Sequence, residues 1–307
     1  MHVLPRSLDF LARLGRPWLG RFGWLPGRRP EPIGGLRIGA VSYLNTRPLV
    51  QGLAEPGRPV VYDLPSRLAD RLASGNLDVA LVPIVELFQG RGHVVVSDAC
   101  IACRGPVRSV KLLFRTAPEA VRTIALDEGS RTSAVLSRVL LSRRFGVRPT
   151  LRSLRIGSRI ESDDSDAVLV IGDRALGPPR GRFVEVWDLG EQWVSWTGLP
   201  FVFAVWAARG SVVAGTDSNG SGLPLSGLKA LLEEARDRGL ARLESIASEE
   251  AAPHGLSTDD CLSYLRDNLH YSLSDRERES IRLFYSIAAE EGLVEPGFEF
   301  GLSPVNV

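Results

Sequence analysis

Three short aliphatic runs, each separated from the next by one helix-forming stretch and brief links, constrain this chain more than any other feature. Leu36-Arg37-Ile38-Gly39-Ala40-Val41, Val60-Val61-Tyr62 and Val79-Ala80-Leu81-Val82 have the length and β-branched content of buried strands. Between the first and second, residues 42–49 include Pro48, which suits the first turn of a helix. Between the second and third, Leu64, Leu68 and Leu72 share one helical face, with Ser66 placed to cap that helix and Gly75-Asn76 to close it. A β-α-β-α-β succession with links this short calls for a parallel sheet with helices on its faces.

The register then changes. Residues 94–96 and 109–114 read as strands that carry the chain out of the first sheet, and a second α/β set begins. It comprises a strand over 123–126, the turn Asp127-Glu128-Gly129-Ser130, and a helix over 131–145 with Val135, Leu136, Val139 and Leu140 inside. A strand over 167–171 leads into Gly172-Asp173, and strands over 183–187 and 201–206 follow. Residues 211–226, rich in Gly, Ser, Asn and Asp, read as a surface loop. Beyond it the chain is expected to be helical, with Ser274 and Glu277 forming a capping box ahead of Ile281, Phe284, Tyr285 and Ala288. The expected architecture is two α/β lobes joined by two crossing strands around a central cleft. Residues 33–115 and 207–307 form the first lobe, 116–206 the second, and 1–32 a disordered N-terminal extension. Ligands in open α/β sheets bind beyond the carboxyl ends of the strands, which directs attention to residues 42–48, 83–86, 129–133 and 172–174.

Charge and cysteine content remove several classes of function. A formal charge of +1 excludes a nucleic-acid partner, whose phosphates demand many unpaired cations. All but Lys111 and Lys229 of the 37 basic residues are arginine, so a single arginine says little about an anion site. Three cysteines make no disulfide framework, which fits a reducing, cytoplasmic compartment. No apolar run is long enough for a signal-peptide core or for stable membrane insertion. Composition and motifs set no oligomeric state.

Gly129-Ser130-Arg131-Thr132-Ser133 opens a helix directly after a strand, so its hydroxyls and unpaired backbone N–H groups form a candidate anion site. The alternative is a serine that only caps the helix. Asn45, with Ser42, Tyr43 and Thr46 beside it, either orients a polar substrate or caps the helix that follows. Ser109 lies where the chain passes between lobes, which puts its hydroxyl at the cleft floor or leaves it an ordinary strand serine. Asp173 either faces the cleft or caps the next helix. Cys100-Ile101-Ala102-Cys103 has no second ligand pair and sits in extended chain, so neither a metal nor a redox use is expected. His2, His93, His254 and His270 lie outside every expected cleft turn, leaving no obvious imidazole base. Trp187, Trp193, Trp196 and Trp206 read as core. No dinucleotide or nucleotide-phosphate loop follows a strand, so no cofactor is expected.

Several of these segments together resemble one family. Val41-Ser42-Tyr43-Leu44-Asn45-Thr46-Arg47-Pro48-Leu49 is similar to the opening signature of the chorismate dehydratases of the futalosine route to menaquinone. Gly105-Pro106-Val107-Arg108-Ser109-Val110 resembles their lobe-crossing segment, and Ser130-Arg131-Thr132-Ser133 their helix start. Trp196-Thr197-Gly198-Leu199-Pro200-Phe201-Val202-Phe203-Ala204 and the His270-Tyr271 region resemble their second-lobe exit and C-terminal helical end. The resemblance runs from about Leu36 to Pro296. It implies a periplasmic-binding-protein-like (type II) fold and a hydro-lyase that converts chorismate to 3-[(1-carboxyvinyl)oxy]benzoate and water without metal or redox cofactor. It implies catalytic roles for Asn45 and Ser109, and it implies that the enolpyruvyl carboxylate of the substrate takes the proton. Ser42, Tyr43, Thr46, Ser130, Arg131, Thr132, Ser133 and Asp173 are then the expected substrate-binding positions. A sister enzyme that makes 1,4-dihydroxy-6-naphthoate is expected to open with a Ser-Pro-Cys-Pro-Asn type motif and to use a histidine base, and neither is present. A transport solute-binding protein is expected to carry a signal peptide or lipobox cysteine, again not found.

Overall fold

Buried aliphatic residues set the first sheet. In the computed structural model, which describes residues 35–213, 225–298 and 300, strands β1 (Ile38–Val41) and β3 (Val79–Pro83) are buried along their whole length. β2 (Val60–Asp63) pairs parallel to β1 with Ile38 opposite Val60, and β3 pairs parallel to β1 on its other side. The Pro65–Ala73 helix makes the crossover. Pro65 occupies its first turn, where a missing N–H costs nothing, and Leu68 and Leu72 are fully buried against the sheet. Ser66 therefore lies inside that first turn and is not the cap expected of it. Leu64 holds the cap position, and the Asp63 carboxylate accepts its N–H at 2.8 Å.

β4 (His93–Cys103) is an eleven-residue strand that stays in the first sheet. The chain crosses through residues 104–109 into β5 (Val110–Phe114), β6 (Thr123–Asp127), β7 (Thr150–Leu154), β8 (Ala167–Ile171) and β9 (Glu185–Asp188). These form the second sheet, in the order β7-β6-β8-β5-β9, parallel around β6 and antiparallel around β5. The Thr132–Phe145 helix covers one face with Leu136, Val139 and Leu140 buried. β10 (Phe201–Arg209) returns to the first sheet and pairs antiparallel with both β3 and β4. β11 (His270–Ser272) completes the order β11-β4-β10-β3-β1-β2.

Sheet membership thus changes before Val110 and before Phe201. The crossing is made by the connecting segments, and the strands expected to cross belong to one sheet or the other. β7 and β11 were not foreseen: four of the five β7 residues are exposed at a sheet edge, and β11 is three residues long. The C-terminal region is therefore not all helix. The Asp275–Glu290 helix does carry the expected capping box, and Ile281, Phe284 and Ala288 are buried. Of the expected 211–226 loop, residues 211–213 lie in the short Gly210–Val213 helix and 225–226 open the Leu225–Leu240 helix. Residues 214–224, like the expected extension 1–32, lie outside the described residues. Trp187, Trp193 and Trp206 are buried as expected, whereas Trp196 is partly exposed.

Candidate active site

Carboxyl ends of strands from both sheets converge on one cleft. Val41 at the end of β1, Pro83 at the end of β3, Gly129 to Ser133 after β6, and Ile171-Gly172 at the end of β8 meet Ile101, Phe203 and Ala204. Together with Val107, Ser109 and Val110 they wall a cavity that opens to solvent.

Tyr43 stands between the two sheets. A Cβ on Gly172 would lie 2.7 Å from its ring carbons, and one on Gly129 would lie 3.0 Å from its hydroxyl. Gly172 also holds φ at 68°, so two independent demands call for glycine there. The Tyr43 hydroxyl is enclosed and has no hydrogen-bond partner. Burial, reinforced by the charges of Asp127 and Asp173, pushes this phenol well above its ordinary range. It therefore stays protonated, on a residue that lines the cleft.

Asn45 lines the cleft from inside the 3-10 segment Leu44–Val50. The cap position of that segment is Tyr43, and no side chain makes a capping bond there, which removes the capping role for Asn45. Its Oδ1 accepts from the Thr46 hydroxyl at 3.3 Å, leaving the amide nitrogen for the cleft. Ser109 is held by a strained turn. Arg108 adopts φ 61°, a left-handed conformation unusual for a non-glycine residue. The Asp188 carboxylate fixes that turn by accepting the N–H groups of Val107 at 2.9 Å and Arg108 at 2.6 Å, while also capping the Leu189–Thr197 helix. The Ser109 carbonyl accepts from Gly172 N at 2.9 Å, tying the turn to β8. The sequence showed a plain serine at a crossing and gave no sign of this carboxylate brace.

At the helix start, Ser130 Oγ is enclosed without a partner. The cap position is Arg131, which makes no side-chain capping bond, so Ser130 is not serving as a cap. The first backbone N–H groups of the helix lack intrahelical acceptors, and Thr132 and Ser133, which carry two of them, line the same cleft. Thr132 lines the cleft, but its hydroxyl donates to the Phe203 carbonyl at 3.0 Å, and Ser133 sits beside it. Arg131 lines the cleft too, yet its guanidinium is committed to Glu86 at 2.8 Å and Asp70 at 2.7 Å, both from the first-sheet side. Its charge fastens the cleft walls together and is not free for a ligand.

Three expected binding residues lie off the cleft wall. Ser42 is turned into the β1 end, where its N–H donates to the Asp63 carbonyl at 3.1 Å. Thr46 is buried and serves Asn45. Asp173 accepts Leu44 N at 2.9 Å and lies 3.3 Å from His254 Nε2. His254 was expected away from every cleft turn, and the tertiary fold instead brings it against the back of one. The Asp173 carboxylate, opposed by partial burial and helped by the Glu250 carbonyl, raises the pKa of its imidazole. Cys100 and Cys103 are buried on β4, where burial pushes the Cys103 thiol up to about 12. Among the described residues no His, Cys, Asp and Glu cluster suits a metal.

The family model for menaquinone biosynthesis matches residues 36–290. A chorismate dehydratase of Thermus thermophilus is 31% identical over 264 residues, covering 80% of this chain and 93% of that protein. Among solved structures, a protein of Archaeoglobus fulgidus aligns with TM-score 0.63 at 11% identity, over 84% of this chain and 98% of its own. The periplasmic aliphatic sulphonate binding protein of Escherichia coli aligns with TM-score 0.56 at 16% identity, over 86% and 89%. A Candida albicans protein described as having the generic periplasmic binding protein fold aligns with TM-score 0.56 at 11% identity. The last three establish the fold alone, the two-lobed periplasmic-binding-protein-like fold. With the family match spanning nearly all of the described residues, this chain belongs to the menaquinone biosynthesis family.

Proposed function

We propose that this protein is a chorismate dehydratase, a hydro-lyase that removes water from chorismate to give 3-[(1-carboxyvinyl)oxy]benzoate. The observation that carries the reading is the chemistry of the cleft wall. Apolar side chains are interrupted by neutral donors from Tyr43, Asn45, Ser109, Ser130 and the helix start, and no lining residue is acidic or a histidine. Such a wall suits an apolar ring bearing two carboxylates, because it offers donors and no repelling negative charge. One carboxylate is received by Ser130, Ser133 and the helix N–H groups.

The C3 hydrogen is acidified by conjugation with the ring carboxylate, and loss of the C4 hydroxyl makes the ring aromatic. The resemblance implies that the enolpyruvyl carboxylate of the substrate takes the C3 proton, and a wall whose lining residues include no carboxylate or imidazole supports that role. Asn45 stabilises the charge that spreads into the ring, and Ser109 donates to the departing hydroxyl. A cytoplasmic location goes with this reading, since the three cysteines are free thiols buried in the core. Purified protein mixed with chorismate and followed by ultraviolet absorbance should form the benzoate product, with or without prior chelator treatment. Tight chorismate binding without turnover would instead favour a solute-binding role.

A further inference from the structure

Tyr264 is fully buried at the start of a one-turn π-helix, Tyr264–Asn268, that follows directly on the Thr258–Ser263 helix. Single π turns concentrate at functional sites because they re-aim a side chain that a regular helix would place elsewhere. Its hydroxyl has no hydrogen bond of good geometry, which leaves a polar group stranded in the core. Such a group carries an unmet desolvation cost when nothing satisfies it, and native cores seldom keep one without a use. The polar side chains within reach of this hydroxyl are those of Ser109 and Asn45, the two cleft residues already assigned to the chemistry. Tyr264 itself does not line the cleft and stands behind that pair.

We infer that Tyr264 is a positioning residue that accepts from the Asn45 amide and donates to Ser109 Oγ once substrate fills the cleft. Asn45 Oδ1 already accepts from the Thr46 hydroxyl, and its two amide hydrogens are open to Tyr264 and to substrate. Ser109 Oγ makes only a long contact of 3.4 Å to the Val107 carbonyl. A donor from behind would occupy one lone pair of Ser109 and direct its proton into the cleft, towards the leaving hydroxyl. Burial drives the Tyr264 phenol far above its ordinary range, with Ser109 and Asn45 only partly opposing the effect. Tyr264 therefore keeps its proton throughout; Ser109 donates a hydrogen bond to the departing hydroxyl, and the proton that completes the water is the one the enolpyruvyl carboxylate has taken from C3. Catalytic hydrogen bonds are often misaligned without substrate and tighten in the complex.

This inference rests on the chorismate dehydratase reading, and Tyr264→Phe tests it by deleting one oxygen. A stranded hydroxyl with no role predicts a melting temperature unchanged or raised and an unaltered rate. The positioning role predicts kcat lowered about 10-fold or more, KM within about twofold, and no loss of melting temperature. In a Ser109→Ala background the same change should lower kcat less than it does in wild type, because part of the action of Tyr264 runs through Ser109. Wild-type kcat in Tyr264→Phe, or full additivity with Ser109→Ala, overturns the inference. If the wild-type protein fails to turn over chorismate, the functional reading falls. The contact is then decided by the melting temperatures of Tyr264→Phe, Asn45→Ala and the double variant. Non-additive melting temperatures uphold the contact, and additive ones overturn it.

Discussion

The Asn45 side-chain oxygen accepts from the Thr46 hydroxyl, and Asn45 has no part in capping the segment it sits in. Removing its side chain should therefore cost the fold no more than about 1 kcal/mol. If its amide stabilises charge in the transition state, the same change should slow turnover on the order of 100-fold or more. Melting temperature and kcat measured on one Asn45→Ala sample separate the two roles. A destabilised protein with wild-type turnover would return Asn45 to a purely structural place. Gly172 gives a second test at this scale. Gly172→Ala drives a methyl to 2.7 Å from the Tyr43 ring and strains a φ of 68°. The ring must move out of the cleft wall, so chorismate turnover should fall at least about 10-fold, read against Gly177→Ala, where a Cβ meets nothing within 4 Å.

Among the elements, the 107–109 turn and the Thr132–Phe145 helix start do different work. The turn stores strain at Arg108 and is held by the Asp188 carboxylate, which also caps the Leu189–Thr197 helix. Asp188→Ala removes the acceptor for three backbone N–H groups at once, at a cost on the order of 2–4 kcal/mol. With the brace gone, Ser109 loses its aim, and the variant should lose turnover even at temperatures where circular dichroism shows it folded. Full activity in the folded variant would mean that the strained turn does not position Ser109. The helix start, by contrast, needs no strain, because its donors are a by-product of where a helix begins.

For the whole molecule, we propose that the two lobes are held around the ligand by contacts that cross the cleft. Arg131 reaches Glu86 and Asp70, Thr132 reaches the Phe203 carbonyl, and Asp173 reaches Leu44 N. Hinge closure of this kind makes ligand affinity depend on the latch. Glu86→Gln should therefore raise KM for chorismate roughly 10-fold with a smaller change in kcat, as steady-state kinetics would show. The second latch titrates. His254 faces Asp173 and the Glu250 carboxylate, and Arg47 also pairs with Glu250 at 3.0 Å. Asp173 first, then the Glu250 carbonyl, raise its pKa in the folded state. The stabilisation is thus complete below the unfolded pKa of about 6.5 and is lost as pH rises through the folded value. The melting temperature of wild type should exceed that of His254→Gln by more at pH 6 than at pH 9. An equal difference at both would remove the ion pair from the account.

Much of this protein is legible in local pattern. Aliphatic runs of strand length gave β1, β3 and β8, the period of Val135, Leu136, Val139 and Leu140 gave a buried helix, and Ser274 with Glu277 gave a capped one. Those features depend on residues a few positions apart, so neighbouring side chains already specify them. Edge strands such as β7 escaped because four of its five residues face water, and exposure erases the alternation that marks a half-buried strand. The site divides in the same way. Ser130 and Ser133 follow from a helix starting after a strand, Asn45 and Ser109 were candidates by their place at a helix entry and a lobe crossing, and only the resemblance of their segments to a family chose a catalytic role over a cap or an ordinary strand serine. Asp188 lies 80 residues from Arg108, His254 81 from Asp173, and Tyr264 far from both Asn45 and Ser109. Nothing local to any of these residues records its partner. Only the return of the chain through β10 to the first sheet, and the packing of the C-terminal helices behind the cleft, decided which groups brace, charge and aim the residues that face the ligand.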